Sequence, residues 1–187
     1  MQEISHIILK MFLAPSVGDS SSKTSSKAWH KIDGVCYNGS GKKVEGAITR
    51  GMDVSEWQGK INWKEAKKDL DFAFVRISYG TRHLDDYYDY NMTEAEAADV
   101  PVGTYVYSLA KTNKEALAEA QLAIRQMQGH KVSYPVAFDL EDEATLGTLT
   151  RKEISQIALT FCDEIRKAGY TPILYMNLNW YNNFVDW

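Results

Sequence analysis

Two carboxylates two residues apart, Asp139 and Glu141, follow the apolar run Tyr134-Pro135-Val136-Ala137-Phe138. Alternation along a strand puts Ala137, Asp139 and Glu141 on one face and Phe138 and Leu140 on the other. Close like charges raise one another's pKa, so such a pair can keep one proton and one charge near neutrality. That combination suits reactions needing a general acid beside an anion. A third acid, Asp53, lies in a second strand-like segment, Gly51-Met52-Asp53-Val54-Ser55. Two other readings stand beside this one. The stretch could be a strand that ends in a solvated acidic turn. It could also form a carboxylate metal site from Asp139, Glu141, Asp142 and Glu143. Alternation turns Asp142 to the opposite face, so neither a metal nor another cofactor is expected.

The elements that must carry these groups alternate between strand and helix from Gly51 onward. Asn62-Trp63-Lys64-Glu65 has the form of a helix start, with Asn62 as cap and Glu65 three residues on. Phe72 to Ser78 is almost wholly apolar, as in a buried parallel strand. A helix is predicted over Tyr88 to Asp99 and a third strand over Pro101 to Tyr107. Thr112-Asn113-Lys114-Glu115 is a capping box opening a helix with Leu117, Ala120, Ile124 and Met127 on one face. Thr150-Arg151-Lys152-Glu153 caps the next. There Ile154, Ile157, Ala158, Phe161 and Ile165 face inward, Cys162 falls on the apolar stripe, and Gly169 stops the helix. A fifth strand follows over Thr171 to Asn177, and a helical turn begins near Asn179.

Five β-α units in a row predict an α/β fold with a parallel sheet and right-handed crossovers. The sheet can be open and doubly wound, or part of a closed barrel. Asp53-Val54-Ser55-Glu56-Trp57-Gln58-Gly59 is no glycine-rich phosphate loop. In both architectures function sits at the C-terminal strand ends. Polar residues collect there: Asp53 and Ser55, Arg76 and Ser78, Tyr105 and Tyr107, Asp139 and Glu141, Tyr175 and Asn177. One acidic strand end is common; five polar strand ends define a site.

Composition narrows the partners. The 187 residues carry a net charge of −4, which points to neither nucleic acid nor an anionic membrane surface. Two cysteines, Cys36 and Cys162, are too few for a disulfide framework or a metal cluster. No apolar run reaches the roughly 18 residues of a membrane span. Ile7 to Ala14 is apolar but short and interrupted by Lys10. It lacks a basic flank, although it could be the remnant of a signal peptide. Residues 1–28 therefore read as an apolar segment followed by a Ser- and Lys-rich flexible linker. In residues 29–49, Trp29, Gly34, Tyr37 and Asn38-Gly39 suggest a small β-hairpin. Its aromatic and glycine spacing loosely resembles one unit of bacterial cell-wall-binding repeats. A hairpin packed on the main domain is the simpler reading.

From residue 50 onward the chain resembles glycoside hydrolase family 25, the lysozymes or N-acetylmuramidases. Gly51 to Gly59 is similar to the family's opening G-x-D-V-S-x-W-Q-G, and Asp139-Leu140-Glu141 to its D-x-E. Phe74 to Gly80 stands where the family has an I-K-A-T-E-G type strand. Asp85, Tyr88 and Asn91 fit a D-x-x-F-x-x-N pattern, and Val102-Gly103-Thr104-Tyr105 a G-x-Y strand.

The resemblance implies an irregular β/α barrel of eight strands, here an incomplete TIM-like barrel of about five β-α units with the last strands missing. It also implies cleavage of the β-1,4 bond between N-acetylmuramic acid and N-acetylglucosamine, by a monomeric protein acting on peptidoglycan glycan strands outside the cytoplasmic membrane. Glu141 would be the general acid, Asp139 its carboxylate partner and Asp53 a further member of the cluster. Tyr105, Tyr107 and Tyr175 would hold sugar or acetamide groups, or else pack the barrel interior. Trp57 would line the groove or pin its loop, and Asn177 would reach the groove by position. Same-face residues two apart have Cα atoms about 6.5–7 Å apart, which leaves retaining, inverting and substrate-assisted routes open. Tyr79 departs from the family pattern, replacing the usual acid. A non-catalytic wall-binding protein or an inactive fragment is the alternative.

Overall fold

The computed structural model describes residues 30–38, 40–47 and 49–183. Trp29 and the proposed linker lie outside them. Strands β1 (His30–Ile32) and β2 (Val35–Tyr37) form an antiparallel hairpin. Its turn is Asp33-Gly34, with φ of 49° and 79°. Two successive left-handed residues give the twist that a tight hairpin needs. Asn38 does not make the hairpin turn; its Oδ1 accepts the N–H groups of Ser40 at 3.1 Å and Lys42 at 2.9 Å and folds the following loop.

The main sheet resolves the choice of architecture. β3 (Gly51–Val54), β4 (Phe72–Tyr79), β6 (Val102–Tyr107), β7 (Val136–Asp139) and β8 (Pro172–Tyr175) lie side by side in chain order, each parallel to the one before. A doubly wound sheet would reverse its order at a switch point. Sequential order belongs to a β/α barrel, and in the described residues that barrel is open. One strand was not anticipated: β5 (His83–Leu84) folds back antiparallel on the end of β4.

The helices are α1 (Trp63–Ala66), α2 (Tyr88–Ala97), α3 (Asn113–Met127), α4 (Glu143–Leu146), α5 (Arg151–Lys167) and α6 (Leu178–Asn183). Thr150 and Glu153 form both halves of the capping box that starts α5. All five of its predicted inward residues are buried, and Phe161 stacks on Phe138 with ring centroids 4.0 Å apart. Cys162 is only half-buried by surface, yet its thiol is pushed up to about 12, chiefly by burial.

The predicted face of α3 needs correction. Ala120 and Met127 are buried as expected and Ile124 packs half-buried against the core, but the buried set also includes Ala116, Glu119, Leu122 and Ala123, and Leu117 is only half-buried. Three alanines on the inner side let this helix lie close to its neighbours, so bulk alone does not mark that side.

The two faces of the sheet differ. Val75, Ile77, Val106 and Phe138 join the helices in the larger core. Phe72, Phe74, Ala137 and Ile173 form a second cluster on the concave face, with Tyr105, Tyr134 and Tyr175 packed against it. Gly103 allows β6 its close approach: a Cβ there would lie 2.5 Å from the Pro135 carbonyl oxygen and 2.7 Å from the Phe74 ring. The polar residues that matter lie on this concave side, beyond the aromatic layer.

Candidate active site

Asp139 is the last residue of β7 and lies opposite Tyr107 of β6 and Tyr175 of β8. It is 6% exposed, and its Oδ1 is buried without a hydrogen-bond partner. Burial raises its pKa well above the usual carboxylate range. The charges of Glu141 and Asp53 add to the rise and Arg76 opposes it. Glu141 lies two residues beyond the strand end and is half-buried. Its pKa is also raised, first by burial and further by Asp53; Asn177, whose Nδ2 is 3.5 Å from Glu141 Oε2, works against this. Burial likewise raises Asp53 on β3. The three predicted carboxylates therefore share one electrostatic site, with β4 and β6 between β3 and β7.

The predicted tyrosines surround it. Burial raises all three phenols, and the acids of the site contribute: Asp53 and Asp139 at Tyr105, Asp142 and Asp139 at Tyr107, Glu141 and Asp139 at Tyr175. Tyr175 is pushed up to about 12. All three stay protonated at neutral pH, where a phenol can donate a hydrogen bond to an anion or a sugar oxygen.

The residues flanking this cluster follow less directly from alternation. A bulge shifts the register of β4 between Arg76 and Ser78, so Tyr79, not Ser78, pairs with Tyr107. Ser78 is fully buried instead. Tyr79 stacks on Tyr107 with ring centroids 4.8 Å apart and donates a hydrogen bond to Asp142 Oδ2 at 3.2 Å. Asp142 is thus on the site side, contrary to strict alternation. The strand has already ended at Asp139, and Asp142 caps α4 by accepting the Thr145 N–H at 2.7 Å. Among the described residues no three His, Cys, Asp or Glu side chains gather as metal ligands would.

A charged network holds the β3–α1 loop against β4. Arg76 Nε donates to Asp85 Oδ2 at 3.0 Å, and its Nη2 lies 2.9 Å from Glu56 Oε1. Asp85 also accepts the N–H groups of Glu56 and Tyr87, and Glu56 Oε2 lies 2.7 Å from His83 Nε2. Asn91 accepts from Trp63 Nε1 and the Ile61 N–H and donates to the Gly59 carbonyl. Asp85 and Asn91, recognised by their spacing, thus support the loop. Gln58 folds it further by accepting the Ser55 N–H at 2.8 Å. Trp57 is 78% exposed and lines a groove of about 390 Å³ with Glu56, Arg76, Tyr79, His83 and Tyr107. Glu56 and His83 were missed, because β5 and the loop contacts leave no periodic signal.

Chemically, the site offers protonatable carboxyls of unequal exposure beside aromatic and phenolic surfaces. This is a fitting arrangement for proton transfer to a polar, flat-faced substrate.

Known proteins share this arrangement of elements. The modular autolysin LytC of Streptococcus pneumoniae superposes with a TM-score of 0.70 at 23% identity, covering 83% of this chain and 39% of that one. A family 25 glycosyl hydrolase of Bacillus anthracis gives 0.66 at 23% identity, covering 76% and 67%. These identities speak to fold. In sequence, the Escherichia coli (strain K12) protein YegX is 26% identical over 139 residues, covering 71% of this chain and 49% of its own. Lysozyme M1 of Streptomyces globisporus is 38% identical over 60 residues, 32% of this chain and 20% of its own. The chain thus spans about half the length, or less, of these curated relatives. Residues 52–186 match the family model for glycosyl hydrolases family 25, and the chain belongs to that family.

Proposed function

We propose that this chain carries the catalytic half-site of a peptidoglycan hydrolase of the muramidase type, cutting the β-1,4 bond between N-acetylmuramic acid and N-acetylglucosamine. The observation that carries the reading is the cluster of Asp53, Asp139 and Glu141. Each has a raised pKa, and Asp139 and Glu141 form the D-x-E pair at the end of β7. Membership of family 25, the partial match to a lysozyme, and the fold shared with LytC, also solved in complex with a synthetic peptidoglycan ligand, support it.

The roles follow from exposure. A general acid must both hold a proton near neutrality and reach the glycosidic oxygen. Glu141 is suited to both, its pKa being raised by burial while its carboxyl is only half-buried. Asp139 is deeper, and its unpartnered Oδ1 is an acceptor suited to a donor such as the N–H of a 2-acetamido group. It would then orient that group for attack on the anomeric carbon, giving retention by substrate assistance. Asp53 contributes to the rise in the Glu141 pKa. Tyr105, Tyr107, Tyr175, Asn177 and Trp57 position the glycan. The working unit begins near residue 50, the hairpin of residues 29–49 is an accessory element, and the protein acts at the cell wall.

The test is product identity. Purified walls are digested, the new ends are reduced with borohydride, and the amino sugars are analysed. Reduced muramic acid is expected. Reduced glucosamine would assign a different bond, and wall binding without new ends would assign a binding protein.

A further inference from the structure

Glu119 is a buried carboxylate that no step of the proposed chemistry uses. It lies on the inner side of α3, 2% exposed, beside Ala116, Ala120 and Ala123. An ionisable side chain is costly in such a place unless donors meet it. Two do. Its Oε1 accepts the Leu109 N–H at 3.0 Å, and its Oε2 accepts the Ser108 hydroxyl at 2.8 Å. That hydroxyl in turn accepts the Ala110 N–H at 3.1 Å, which leaves its own proton for Glu119. Both neighbours of the carboxyl are therefore donors, and a glutamine there would turn a donor toward one of them.

The turn that Glu119 holds also holds the carboxylate segment. The Ser108 N–H donates to the Asp139 carbonyl oxygen at 2.9 Å, just past the last residue of β6. From the other side, the Leu140 N–H donates to the Tyr175 carbonyl oxygen at 2.9 Å. The peptide joining Asp139 to Leu140 is thus gripped at both ends, where β7 stops and the chain leaves the sheet for Glu141. Hydrogen bonds at strand ends are the first to open, so this one gains from a donor whose own turn is fixed.

We infer that Glu119 is a positioning residue for the carboxylate pair: through Ser108 it fixes the Asp139–Leu140 peptide and so aims Asp139 and Glu141. The inference rests on the glycan-hydrolase reading and deepens it, adding a carboxylate that acts from within the core and touches no substrate. A displacement of about 1 Å at reacting groups can cost on the order of 10²-fold in rate. Loosening the Ser108 turn should therefore show in turnover, while the surfaces that bind the glycan stay as they are.

The experiment measures amide hydrogen exchange and cell-wall hydrolysis in wild type, Glu119→Gln, Ser108→Ala and the double variant. In each variant, protection at residues 108 and 140 should fall about tenfold, the scale of one hydrogen bond to a charged group. Val136 is the control: its N–H donates to the Thr171 carbonyl oxygen at the other end of β7, and its protection should hold. The kcat for reducing-end release should fall about 10–100-fold with KM unchanged, as lost alignment requires. The double variant should lose no more than about twofold beyond the larger single loss, because both changes act along one path. Full protection in Glu119→Gln, equal loss at Val136, or single losses that multiply would each overturn the inference. Its failure differs from failure of the hydrolase reading. Selective loss of protection, with no reducing ends released even by wild type, sinks the hydrolase and leaves the clamp; release with kcat unchanged in Glu119→Gln sinks the positioning role alone.

Discussion

Replacing Asp139 with Asn exposes the conflict between folding and chemistry at this site. The side chain is 6% exposed and one of its oxygens has no partner. A buried unsatisfied polar group costs about 1–3 kcal/mol, and more when charged. Asn keeps the shape and the unpartnered oxygen but cannot ionise, so Asp139→Asn should stabilise the fold at pH 7 by the cost of ionising the buried carboxyl, about 1–3 kcal/mol. For a chain of this size that raises Tm by about 2–12 °C. The sign of the pH dependence follows from the raised pKa. The folded state holds the Asp139 proton to higher pH than the unfolded chain, whose Asp titrates near about 3.9. Stability is therefore lost as pH rises from about 4 through the folded pKa. The advantage of Asn should be small near pH 4 and grow toward neutrality, while reducing-end release from walls collapses. Thermal unfolding followed by circular dichroism between pH 4 and 8 measures it. A variant less stable than wild type at pH 7, or a difference independent of pH, would refute the reasoning.

Two further substitutions probe buried charges outside the carboxylate cluster. Arg76→Met strips the guanidinium from the fully buried Asp85 side chain and should cost about 3–5 kcal/mol in urea unfolding; a loss below about 1 kcal/mol would show that the Glu56 and Tyr87 N–H groups suffice. Glu119 on α3 is 2% exposed, accepts from Ser108 Oγ at 2.8 Å and the Leu109 N–H at 3.0 Å, and is raised to about 7, chiefly by burial. Because its folded pKa is raised, it takes away stability as pH climbs from about 4.5 toward 7, by roughly 3 kcal/mol in all. Glu119→Gln should flatten the urea midpoint over that window, and parallel curves for the two proteins would contradict it.

Much of this was legible in the sequence because its signals were local. The Thr150–Glu153 capping box and the 3.6-residue spacing from Ile154 to Ile165 placed α5 and its inner face. The apolar runs placed the parallel strands, and the D-x-E pair placed the acids. Long-range contacts were not legible. The bulge that brings Tyr79 to Tyr107 depends on how β4 meets β6, and alternation alone pointed to Ser78. Glu119 was invisible for the opposite reason. A charged residue on a helix reads as solvent-facing, and only the Ser108 and Leu109 donors make its burial tolerable. Asp142 was assigned to the wrong face because a rule for strands was carried past the strand's end.

The central claim is that Glu141 delivers the proton. Its most direct test compares initial rates of reducing-end release from purified cell walls by wild type and Glu141→Gln, with wall binding measured on the same samples. Glu141 is half-buried at a strand end, and glutamine matches its shape, so the fold and wall binding should persist. Loss of general acid catalysis should lower the rate by about 10²–10⁴-fold. A Glu141→Gln rate within about threefold of wild type would contradict the account and move the acid elsewhere in the cluster.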